Sequence, residues 1–218
     1  MSLATANGNS LTDAVLTAPR TGAWIFDGVT AEPVDIAVGP VALTVGDIVL
    51  SGTVTRSAAF TGARNFRAVG GRSGWTATVQ ARGYSSPNGL QLAPLLQDAA
   101  RDAGEVLGPV AANSAGLAYT RRQGPASQVF ALLPVGTEWW VDYLGVTQVG
   151  ARPVGLATAA IQVQDYDGER GVAFFSTDNP AQFLPGKSLI DPTIGTRVIN
   201  AIVWRVSDGK LRGEAWTG

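Results

Sequence analysis

The stretch TRVINAIVWRVSDGKLRGEAW, residues 196–216, decides the fold. Val198, Ile202, Trp204 and Val206 fall on even-numbered positions, so Thr196 to Ser207 reads as a long β-strand with one apolar face. Asp208-Gly209 is a dipeptide suited to the positive φ angles of a tight hairpin turn, and Lys210 to Trp216 returns as the antiparallel partner. The apolar face is expected to carry both Trp204 and Trp216.

The same device recurs toward the N-terminus. Val41 to Val54 reads as two strands broken at Gly46-Asp47, a second hairpin. From Trp75 to Arg82 the odd positions are apolar and the even ones polar, the pattern of a half-buried strand, with Tyr84 closing the segment. Further strands are expected at Glu138 to Gly145, Ala159 to Gln164 and Val172 to Ser176, with Asp167-Gly168 turning between the last two. The stretches Gly108 to Gly116 and Asn179 to Gly186 read as extended loops, and the chain has neither a fixed-period repeat nor a low-complexity linker.

One segment departs from the β pattern. Between Asn88 and Gly104, Leu92, Leu95, Leu96, Ala99 and Ala103 recur at spacings of 3 and 4, which predicts an amphipathic helix over about 88–104. Pro94 falls in its first turn, where a missing amide hydrogen costs little, and Gly104 suits the left-handed position just past its end.

Composition narrows function by subtraction. The 218 residues contain neither histidine nor cysteine. Zinc sites draw on His and Cys, serine and cysteine hydrolases normally need an imidazole base, and dithiol chemistry needs thiols. Charged residues make up 15% of the chain, below the roughly 25% of an average domain, so much of the surface is neutral and suited to burial against other subunits. With 16 basic residues against 17 acidic and no basic run, nucleic acid is not expected as a partner. The opening residues, MSLATANGNSLTDAVLTAPRTG, do not read as a secretory signal, and no stretch approaches the length of a membrane span.

The acidic and glycine-rich motifs each have a structural reading. Asp165-Tyr166-Asp167-Gly168-Glu169 places three carboxylates in five residues, but it lacks the glycine and glutamate spacing of a calcium loop and reads as a hairpin turn. Glu138 and Asp142 flank Trp139, Trp140 and Tyr143, as in a glycosidase cleft. Four apart on one strand they would stand about 13 Å apart, beyond the roughly 5 to 9.5 Å of paired glycosidase carboxylates. Val69 to Trp75 is glycine-rich without the ending of a phosphate loop, and Arg121-Arg122 reads as a solvated loop pair. The six tryptophans are expected in cores or interfaces. No catalytic, cofactor-binding or metal-binding residue is therefore assigned.

Several of these segments together resemble a known family. Gly46 to Val54, Gly70-Gly71-Arg72-Ser73-Gly74-Trp75, Tyr84-Ser85-Ser86 leading to a helix that ends Asp102-Ala103-Gly104-Glu105, Tyr119-Thr120-Arg121-Arg122 and Trp139 to Gly150 are similar to the baseplate hub proteins of tailed bacteriophages. Phe183-Leu184-Pro185-Gly186-Lys187-Ser188-Leu189 and the Asp208 to Arg212 turn resemble the closing hairpin of hub β-barrels in phage tails and contractile injection machines. The resemblance implies a mainly β protein of two small antiparallel β-barrel-like units with one inserted helix. It also implies a structural role without enzymatic activity or cofactors: a homo-oligomeric ring, commonly a trimer, between tail tube and central spike, assembled in the host cytoplasm and carried in the virion baseplate. Residues 1–34 are then expected as an N-terminal arm and first strand, 35–150 as a barrel unit with the helix, and 151–218 as a second β unit. A distal tail or tube-capping ring, or a carbohydrate- or receptor-binding tail module using exposed aromatics, are the alternatives.

Overall fold

The computed structural model describes residues 2–30, 34–60, 62–132, 138–157 and 161–218. Six strands come first: β1 (Ala4–Ala6), β2 (Asn9–Pro19), β3 (Ile25–Thr30), β4 (Gly39–Val45), β5 (Ile48–Phe60) and β6 (Ala63–Gly70). They pair in the order β1-β4-β5-β6-β3-β2, and β1 pairs back with β2, so the six close into an antiparallel barrel. The expected hairpin at Gly46-Asp47 is present, with Val45 opposite Ile48. Alternation places Leu16, Phe26, Leu43, Leu50, Val54 and Phe66 inside. A bulge between Leu11 and Asp13 shifts the inward positions of β2 from Leu11 to Ala14, Leu16 and Ala18.

The chain then leaves the barrel and builds an insert with its own core. It contains β7 (Thr78–Val79), β8 (Arg82–Ser85), α1 (Leu92–Ala103), β9 (Ala118–Arg121), β10 (Gly124–Pro125), β11 (Glu138–Val141) and β12 (Thr147–Gly150). Leu92, Leu95, Leu96, Ala99 and Ala100 bury the apolar stripe of α1 against Trp75, Val79, Val129 and Phe130. The helix starts four residues later than the expected span and stops where predicted. Gly104 is left-handed, with φ 74°, and the amides of Gly104 and Glu105 both reach back to the Ala100 carbonyl.

The last strands are β13 (Gly155–Leu156), β14 (Val163–Asp167), β15 (Val172–Phe175), β16 (Lys187–Asp191), β17 (Gly195–Ser207) and β18 (Lys210–Thr217). They pair in the order β13-β16-β17-β18-β15-β14, with β13 parallel to β16. The Val163 amide on β14 donates to the Asp191 carboxylate on β16 at 3.2 Å, which ties one end of this curved sheet to the strand beside its other end, as a second barrel-like unit. β17 belongs to both units. One of its edges pairs with β16 at 195–198 and with β2 at 201–206, and a bulge between Ile199 and Ala201 marks the change of partner. The mainly β reading, with barrel units and one inserted α-helix, thus describes the fold of the described residues.

Several sequence expectations are corrected. Trp216 does not share a face with Trp204. The two-residue turn puts Ser207 opposite Lys210 and Trp204 opposite Gly213, so Leu211, Gly213 and Ala215 point inward and Trp216 is half-exposed on the other side. Across the bulge at Asn200, Ile199 replaces Val198 in the core. Trp75 to Arg82 is not one strand: Gly74–Thr76 is a 3-10 turn, β7 lasts two residues, and β8 begins at Arg82. Ser73 turns left-handed there, and Gly74 packs so closely on the end of α1 that a Cβ would lie 2.0 Å from the Ala103 carbonyl oxygen. The strand expected at 138–145 ends at Val141, because the Asp142 carboxylate accepts the Leu144 and Val146 amides and folds a turn. Of the strand expected at 159–164, residues 159 and 160 lie outside the described residues, and the strand that follows is Val163–Asp167.

The expected divisions at 34 and 150 also differ from the sheet. Residues 4–30 form three of the six barrel strands, not an arm, and β2 pairs directly with β17. The separate core belongs to the insert alone, while the barrel and the second β unit share one continuous core.

Candidate assembly surfaces

The seam between barrel and insert is built around Trp24. Its ring lies against Gly52 and Gly70, where an added Cβ would come within 2.5 and 2.7 Å of it, and its Nε1 donates to the Asp142 carbonyl at 3.1 Å. Backbone bonds run alongside: Gly22 donates to Trp139 O, Val141 to Gly22 O and Ser51 to Tyr143 O. Arg152 donates to the carbonyls of Pro19 and Arg20 and stacks over the Trp140 ring at 5.2 Å. Burial pushes the Tyr143 hydroxyl up to about 12 against the opposing pull of Arg152, whose own guanidinium is lowered by burial.

Glu138 and Asp142 both serve this seam. Glu138 pairs with Arg20 at 2.5 Å and accepts the Arg152 amide, and Asp142 is committed to its turn and to Gln148. They do not face each other across a cleft. In the Asp165 to Glu169 segment, Asp167 accepts the Arg170 amide and braces the turn between β14 and β15. Among the described residues no three acidic side chains gather to hold a metal.

The glycine-rich loop does hold an anion, supplied by the chain itself. The Glu105 carboxylate, buried just past α1, accepts the Arg72 and Gly74 amides at 2.6 to 3.1 Å and lies against Gly71. Thr53 on β5 fixes the loop from the other side through the Gly71 carbonyl. Glu105 stands more than 30 residues from the loop, so sequence reasoning missed it. The signal was only a carboxylate following a helix-ending glycine.

Arg121 corrects the expectation of a solvated pair. Arg122 is exposed, but Arg121 is 2% exposed and pairs with Asp102 on α1 at 2.5 Å. Arg82, its neighbour on β8, pairs with Asp98, which also meets Arg101. Of the tryptophans, Trp24, Trp75, Trp140 and Trp204 are buried, and Trp139 stacks on Phe130 at 4.2 Å. Five of the six rings thus belong to packing rather than to a ligand platform.

Ile25, Val38 and Leu117 are exposed, and the other exposed large apolar residues form two groups. Val106 and Leu144 line a cleft of about 600 Å³ between barrel and insert, with Val49 two residues along the outer row of β5 from the Ser51 that also lines it. Leu144 is 75% exposed. The second patch is Val154, Leu156 and Ile190, at the β13–β16 edge. No described helix is long and apolar enough to cross a membrane.

Solved structures share this fold along nearly the whole chain. A tail protein of prophage MuSo2 from Shewanella oneidensis superposes with a TM-score of 0.73 at 10% identity, covering 99% of this chain and 96% of that one. A tail protein from Neisseria meningitidis MC58 gives 0.67 at 12% identity, covering 99% and 95%. An Escherichia coli component of the type VI secretion system, which exhibits structural similarity to the T4 bacteriophage tail proteins gp27 and gp5, gives 0.69 at 11% identity, covering 99% and 76%. No protein-family model and no curated protein matches the chain.

Proposed function

We propose that this protein is a structural subunit of a phage-tail baseplate hub, forming a ring that joins the tail tube to the central spike. The observation that carries the reading is the fold, shared over 99% of the chain with two tail proteins and a secretion-system component. The surface agrees with it. A ring needs a heterologous contact in which one patch of each subunit meets a different patch on the next, and the molecule exposes two separate apolar patches, one around Leu144 and one around Ile190. The Glu138 and Asp142 carboxylates are spent on structural bonds, which supports a role without catalysis. Closure at three matches the symmetry of a central spike, and the protein then resides in the virion. The buried tryptophans favour this over a glycan-binding module.

The test is light scattering on a sizing column followed by negative-stain imaging, alone and with tube and spike proteins added. A ring is expected, with Leu144→Asp or Ile190→Asp dissociating it while leaving the circular dichroism spectrum unchanged. A monomer under every one of these conditions overturns the proposal.

A further inference from the structure

We infer that the cleft between the β8–β9 ribbon and the C-terminal half of α1 binds a single oxyanion, a carboxylate or a phosphate, through Arg121. This does not depend on the ring reading. The Arg121 side chain is 3% exposed, yet only its Nη2 is engaged, by Asp102 Oδ2 at 2.5 Å and the Gln80 carbonyl at 3.3 Å. Nε and Nη1, which carry one and two N–H donors, are buried with no hydrogen-bond partner. Across the ribbon, Tyr84 stacks on Tyr119, and its hydroxyl is likewise buried and unpartnered within electrostatic reach of Arg121. Unmet donors on a buried cation are costly, and native structures fill such places with water, ions or ligands.

Geometry and charge favour an anion over water alone. A cleft of about 510 Å³ lined by Thr78, Gln80, Arg82, Asp102 and Arg121 opens beside the guanidinium. Arg82, Arg101 and Arg121 meet only Asp98 and Asp102 here, leaving a surplus of one positive charge. Water supplies an acceptor but does not offset that surplus. The planar fork of a guanidinium matches two oxygens of a carboxylate or phosphate.

The test uses the full chain labelled with ¹⁵N, in which the arginine Nε–H resonance lost in Arg121→Lys identifies Arg121. Titration with inorganic phosphate is expected to shift that resonance saturably, with a dissociation constant of about 1 mM, while chloride at matched ionic strength does not. Asp102→Asn removes the competing carboxylate and is expected to tighten phosphate binding about three- to tenfold. It carries the test if Arg121→Lys fails to fold. An N-acetylated triglutamate peptide that displaces phosphate identifies a protein carboxylate as the occupant, and one that does not leaves free phosphate. A resonance that phosphate leaves in place, an equal shift with chloride, or an Asp102→Asn variant with unchanged phosphate affinity overturns the inference.

Discussion

If Trp24 joins the barrel to the insert by filling the space left by two glycines, then Gly70→Ala must fail for a reason that Trp24 alone controls. A Cβ at Gly70 meets three atoms of the Trp24 indole, at 2.7, 2.9 and 3.0 Å, and nothing else so near. Overpacking of this kind costs about 1 to 3 kcal/mol. Gly70 has no positive φ, so backbone strain adds nothing. Gly52 is the control, because a Cβ there meets the Val69 carbonyl oxygen at 2.4 Å as well as the indole. Trp24→Leu removes the ring while keeping an apolar filling, and in that background Gly70→Ala is expected to be nearly neutral while Gly52→Ala stays costly. Urea unfolding of the four variants and their parents measures the two coupling energies. A coupling above about 1 kcal/mol is expected for the Gly70 pair. Additive Trp24 and Gly70 effects would refute the keystone role.

The remaining predictions follow from single interactions. Glu105→Gln leaves the volume intact but halves the acceptor, so it should destabilise by about 1 to 3 kcal/mol and speed hydrogen exchange at the Arg72 and Gly74 amides, read by NMR. Asp191 is held below its ordinary value of 3.8 by the Val163 and Thr193 amides, so its contribution is complete above that pH and is lost as pH falls below it through the depressed folded value; acid unfolding of Asp191→Asn should lose that part of the pH dependence, and an unchanged acid limb would count against it. Trp204→Ala should cost about 3 to 5 kcal/mol as a core cavity, whereas Trp216→Ala, on the opposite face, should cost less than about 1.5 kcal/mol, both measured by thermal unfolding.

The hairpins at Gly46-Asp47 and Asp208-Gly209 were legible because a turn dipeptide and the alternation flanking it are both local; between β14 and β15 the turn is instead the four residues 168–171, with the positive φ at Gly171 rather than at Gly168. The helix was legible for the same reason, since its stripe and its glycine stop lie within one short span. Trp216 was legible in principle, because a two-residue turn places odd positions of β18 opposite even positions of β17. The bulge at Asn200 was not, since it follows from a change of partner strand and no pattern in β17 announces it. The Trp75 segment misled because its period of 2 also fits Trp75 and Val79 facing one core across a broken backbone. At the candidate sites, the loop that receives Glu105, the burial of Arg121 and the place of Trp24 all depend on segments far apart in sequence. Composition could exclude chemistry, but it could not bring those segments together.

The way the barrel closes bears on how the chain is made. Its six strands lie within residues 4–70, and β1 meets β2 through only two residue pairs, Thr5 with Ser10 and Ala6 with Asn9. Residues 14–19 of β2 take their other neighbour from β17, which reaches residue 206. At a synthesis rate of about 5 to 20 residues per second, that partner emerges on the order of ten seconds after the barrel strands. Throughout this interval β2 offers an open strand edge to any nascent chain nearby, so crowded polysomes, rather than the finished protein, are where this fold is most exposed to mispairing.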